Sequence, residues 1–84
     1  MSDQELRKKL EELHRELASV GEVDPDLERP LAELRAEIEN VMERSNPQGF
    51  GARLSEAVER FEASHPQLAS AMGAVIDQLA RMGV

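Results

Sequence analysis

Three observations predict an all-α fold, a small antiparallel bundle of four helices. The stretch Ser64–Val84, SHPQLASAMGAVIDQLARMGV, has only Asp77 and Arg81 as fully charged side chains, whereas elsewhere a charge recurs every few residues. Bulky apolar residues recur at 4-3-4-3 spacing in three separate segments, the signature of one apolar helical face. Proline and glycine gather between Gly21 and Pro25, between Ser45 and Gly51, and at Pro66, so they punctuate the chain between its periodic segments.

The last segment is the helix that the others are expected to cover. Leu68, Met72, Val75, Leu79 and Met82 form its bulky seam. Ala69, Gly73, Ile76 and Ala80 form a second, thinner stripe beside it, and Ala71 and Ala74 widen the apolar arc. A helix that is apolar around more than half of its girdle is an enclosed one. Membrane insertion does not fit. Gln67, Asp77, Gln78 and Arg81 interrupt a segment that already falls short of the roughly 20 apolar residues a span requires.

From the N-terminus, Ser2 and Glu5 make an S-x-x-E capping box that would satisfy free amides at the start of the first helix. Leu6, Leu10, Leu13, Leu17 and Val20 follow, and Ala18 is the one other apolar residue between them. So strict a two-in-seven stripe has the form of a coiled-coil seam. Glu5 with Lys9 and Glu11 with Arg15 are favourable i,i+4 pairs, and Gly21 is expected to end the helix.

Asp24 and Pro25 restart the chain as N-cap and first helical residue. Leu27, Leu31, Leu34, Ile38 and Val41 carry the second seam to about Arg44. Pro30 lacks an amide donor, which predicts a bend, or a short turn over 25–29 before the regular helix. SNPQGFG at 45–51 reads as a loop, and its Phe50 either folds back as a plug or stands exposed as a contact for a partner. A third helix is expected from about Ala52 to Ala63, with Leu54, Ala57, Val58 and Phe61 inward. Pro66 disfavours helical geometry at His65, and Ser64 with Gln67 offers a second capping box. A break at 64–65 is therefore preferred, with one kinked helix as the alternative. Gly83 closes the last helix.

Eighty-four residues without a linker or internal repeat read as one domain, 1–84. The chain has no cysteine, which removes disulfides, thiolate nucleophiles and Cys-based metal sites. That usage fits a reducing cytoplasm, and the charged N-terminus has no apolar leader segment. Net charge is −7, which argues against nucleic acid as a partner. The acidity is uneven: residues 1–44 hold 13 acidic and 7 basic side chains, and residues 45–84 hold 4 and 3.

Three stretches, LRKKLEELHRELASVGEVDP at 6–25, RFEASHPQLA at 60–69 and LARMGV at 79–84, together resemble a family of short uncharacterised bacterial proteins known as a domain of unknown function. LHxEL…VDP, FEASHP and ARMG carry the likeness, which covers nearly the whole chain. It implies a small helical cytoplasmic protein. It implies no reaction, cofactor or partner, so no residue inherits a role from it.

Both histidines close an E-x-x-H tetrad, Glu11–His14 and Glu62–His65, the spacing used by di-iron helix bundles. Such ligands point inward. Here Leu10, Leu13 and Leu17 set the core direction, which leaves His14 on the flank and Glu11 outside, while residues 62–65 straddle the expected break. No metal or other cofactor is expected, and the carboxylates lie on faces that look solvated, where nothing would raise a pKa for acid–base work.

The expected function is a non-catalytic interaction or structural module that self-associates as a homodimer or higher homo-oligomer. Its candidate interface residues are Leu6, Leu10, Leu13 and Leu17 on the first seam, or Ala69, Gly73, Ile76 and Ala80 on the thin stripe. The alternative is an acidic inhibitor or regulator that occludes a basic surface of a partner protein.

Overall fold

The computed structural model describes residues 2–44 and 46–83, with Ser2 and Asp3 described by backbone alone. Four helices follow one another: α1 (Ser2–Ser19), α2 (Pro25–Arg44), α3 (Phe50–Phe61) and α4 (Pro66–Met82). Arg7 at the start of α1 reaches the Met42 carbonyl near the end of α2, and Arg35 of α2 reaches the Leu17 carbonyl near the end of α1. Glu37 of α2 pairs with Arg53 of α3, and Gly51 of α3 lies beside Leu79 of α4. Leu6 and Met82 line one cleft, and Val20 and Pro66 line another. Each neighbour therefore runs antiparallel to the next, in a ring ordered α1, α2, α3, α4.

Within the ring, α4 packs on α1 and α3, and α2 packs on the same two from the opposite side. No Cα of α4 comes within 8 Å of one in α2. The helix expected to be surrounded is flanked on two sides instead. The face of α4 turned away from the core is left open.

The seams make one core. Leu6, Leu10, Leu13 and Leu17 of α1, Leu34, Ile38 and Val41 of α2, Phe50, Leu54, Ala57 and Phe61 of α3, and Leu68, Met72, Val75 and Leu79 of α4 are all buried in it. Val20, Leu27, Leu31, Val58 and Met82 close its rim, half-buried. Each fully buried Leu, Ile or Phe contributes about 1.5–3 kcal/mol. With two aromatics in the chain, the aliphatic seams supply most of that total.

The helix ends depart in several places from the expected caps. α1 stops at Ser19, and Gly21 is not in the left-handed region. The ending comes instead from donors to the free carbonyls: Ser19 Oγ to Glu16 O at 3.0 Å, and both Val20 N–H and Arg35 Nη2 to Leu17 O at 3.4 Å. The capping box at Ser2 depends on a side chain outside the described residues. Glu11 pairs with Arg7 at 3.8 Å, not with Arg15, a choice between exposed partners that differ little in energy. α2 begins at Pro25 as expected, with Leu27 N–H bonded to Asp24 O at 2.8 Å. No separate turn forms over 25–29, and α2 stays helical through Pro30. The carbonyl that Pro30 leaves unbonded belongs to Asp26, which is exposed, so water can take the amide's place.

α3 begins and ends two residues earlier than expected. Gly49 precedes it at φ 78°, a left-handed turn that swings Phe50 into the core. The chain breaks after Phe61, so α3 and α4 are two helices, not one kinked helix. The cap of α4 is His65 (φ −137°, ψ 70°) and not Ser64, and no side chain caps the helix. Pro66 explains the shift. It occupies the first helical position, so the extended residue before it becomes the cap and Ser64 stands one residue too far back. Gly83 ends α4 at φ 78°, as expected, and donates to the Ala80 and Leu79 carbonyls.

Candidate functional site

Leu6, Leu10, Leu13 and Leu17 all lie inside the chain's own core. α4 and α2 cover the seam they form, so no second chain could reach it without opening the bundle. The thin stripe on α4 is placed differently. At about 100° per residue its four members share one arc of the helix. Ala69 is buried, Gly73 and Ile76 are half-buried, with Ile76 against the core, and Ala80 is exposed. A side chain built at Gly73 would meet nothing within 4 Å. The stripe thus runs from the bundle at Ala69 out to solvent at Ala80. Beside it, Asp77 and Arg81 are exposed and neutralise each other at 3.1 Å.

Phe50, the candidate exposed contact, is 2% exposed. It is the plug, and it offers nothing to a partner. The amide of Phe50 bonds to Pro47 O at 2.9 Å, which tightens the turn that carries the ring inward.

The histidines go separate ways. His14 faces α2, with Nε2 3.4 Å from Glu39 Oε2, while Glu11 points to Arg7. His65 rests its ring edge-on against Phe61, with centroids 6.0 Å apart, and Ser64 Oγ lies 3.0 Å from its Nδ1. Glu62 is in the turn between α3 and α4, so neither tetrad points its two members to one place. Among the described residues, no group of three or more His, Asp or Glu side chains is close enough to hold a metal ion. The cleft between α2 and α3, of about 270 Å³, is lined by Glu33, Glu37, Glu56, Arg53 and Arg60, and its Glu37–Arg53 pair spans it.

Two features escaped the sequence reading. Gln78 is 3% exposed, and its Oε1 has no hydrogen-bond partner. It falls seven residues after Ala71, which shares a cleft with Arg15 and Ala18 of α1, so it lies on the α1 side of α4. Its spacing from Ala71 and Met82 was a usable signal, because those two already marked that side as apolar. The other feature is the reach of Arg7 and Arg35 to opposite helix ends. Nothing in the spacing signals it, since it depends on where the two helices cross.

The structure defines a small antiparallel four-helix protein with a closed aliphatic core and one partly open helix face. No helix among the described residues is long and apolar enough to cross a membrane. The family model for DUF4404, a domain of unknown function, matches residues 6–84, and the chain belongs to that family. No curated protein and no solved structure matches it.

Proposed function

We propose that this chain is a non-catalytic helical interaction module that self-associates, in its simplest form as a two-fold homodimer, through the open face of α4. The observation that carries the reading is the empty space at Gly73, on the most apolar helix of the bundle, next to exposed Ala80 and half-buried Ile76. Small residues on a helix face let a second backbone approach closely, and a two-fold dimer needs only one self-complementary patch. The neighbouring Asp77–Arg81 pair brings no net charge to that approach. The reading goes with a bacterial cytoplasmic setting, in line with the absence of cysteine. Light scattering coupled to size exclusion, at tens of micromolar protein, tests it. The expected mass is about twice 9.4 kDa, and a mass near 9.4 kDa throughout refutes self-association. Gly73→Leu is expected to dissociate the dimer. A dimer that survives this change puts the contact elsewhere on the surface.

A second reading, an acidic regulator that occludes a basic partner, is favoured by one observation. The excess acidic charge is concentrated on α2 and the segment that leads into it, where Glu22, Glu28, Glu33 and Glu43 are exposed. Capture from lysate at low and high salt separates the two readings. An electrostatic occluder loses its partner as salt rises, and an apolar dimer does not.

A further inference from the structure

We infer that α2 is a detachable strap, which leaves the bundle as a unit while α1, α4 and α3 stay packed. The inference does not depend on self-association, and four observations support it. First, α2 sits diagonal to α4 and touches only α1 and α3. Its removal leaves the α1–α4 and α3–α4 contacts complete. Second, only Leu34, Ile38 and Val41 of its 20 residues are buried, against Leu68, Ala69, Met72, Val75, Gln78 and Leu79 among the 17 of α4. Third, among the described residues every polar contact between helices involves α2: Arg7 to Met42 O, Arg35 to Leu17 O, His14 to Glu39, and Arg53 to Glu37. Such contacts exchange readily with water when they are exposed, so they hold a helix in place without welding it to the core. Fourth, the turns at its two ends each contain a glycine with open space around it, Gly21 and Gly49, and Pro30 removes one of its internal hydrogen bonds.

Regions with few buried apolar contacts and many solvated polar ones open at lower free energy than the core. Opening α2 would uncover the apolar faces of Leu34, Ile38 and Val41, together with the groove between α1 and α3 that they fill. The bundle would then present a slot of one helix width, with its native occupant tethered beside it.

Native-state hydrogen exchange on the intact chain, at rising sub-denaturing urea, tests this. The amides around Leu34–Val41 should exchange about tenfold or more faster than those around Met72–Leu79, with a shallower dependence on urea. Equal protection and equal slope in the two helices would overturn the proposal. Gln78→Leu sharpens the test, because it acts on the α1–α4 contact, which stays intact when α2 opens. It should slow exchange in α4 and leave exchange in α2 unchanged. Slowing of both helices by the same factor would show a single cooperative unit and overturn the strap.

Discussion

α4 and α2 are amphipathic helices of similar length with the same 4-3-4-3 seam, yet they are held in different ways. Packing holds α4. It lies between α1 and α3, buries a third of its residues, and makes no polar bond to another helix among the described residues. α2 is held at its edges. A short apolar line, Leu34–Ile38–Val41, is supplemented by two arginine contacts to backbone carbonyls, the Glu37–Arg53 ion pair and the His14–Glu39 contact. A seam in the sequence therefore shows which face a helix buries. How firmly it is held depends on how closely it packs on its neighbours, since α2 and α4 have the same two.

The largest effect expected from this contrast comes at the centre of α4. Met72→Ala should cost about 2–5 kcal/mol in urea unfolding, since Met72 is fully buried and its seam touches two helices. A loss below about 1 kcal/mol would break the contrast. Gln78→Leu should stabilise the protein by about 1–3 kcal/mol, because it replaces a buried acceptor that has no partner with a side chain suited to the site. Thermal unfolding would show this as a rise in Tm, and a fall would mean that Oε1 is bonded in solution.

On the α2 side, Arg35→Met should cost about 0.5–1.5 kcal/mol by removing a donor from the Leu17 carbonyl while keeping most of the stem. Denaturant titration would measure it. A loss as large as that of Met72→Ala would erase the difference between the two helices. The smallest effect is expected from Ser64→Ala. Ser64 does not cap α4, so a change within about 0.5 kcal/mol is the expected result. A loss of about 1 kcal/mol or more would restore Ser64 as a cap.

The number, order and inward faces of the helices were legible because apolar spacing and Gly/Pro punctuation are local and repeated. The break before Pro66 was legible for the same reason: proline restricts the residue before it in any context. The cap itself was not, because Ser64–Gln67 and His65–Pro66 compete for one helix start and the sequence motif does not decide between them. The candidate site was legible in part. The stripe at Ala69, Gly73, Ile76 and Ala80 was visible as spacing, but its passage from buried Ala69 to exposed Ala80 depends on how α1 and α3 flank α4. The Leu6–Leu17 seam looked like a surface for a second chain because a heptad pattern does not say whether its partner helix belongs to the same chain.

The pairing of α1 with α4 has a consequence for the order in which the protein is made. These helices lie at opposite ends of the described chain, with everything from Val20 to His65 between them. During synthesis α1 leaves the ribosome first, and its leucine seam has no tight partner until α4 follows. Contacts so distant in sequence slow folding relative to a bundle built from neighbouring hairpins alone. Over that interval the row of Leu6, Leu10, Leu13 and Leu17 is covered by α2 alone and stays open on the side that α4 will take. A chaperone, or the same row on a neighbouring nascent chain, would meet those leucines before α4 does.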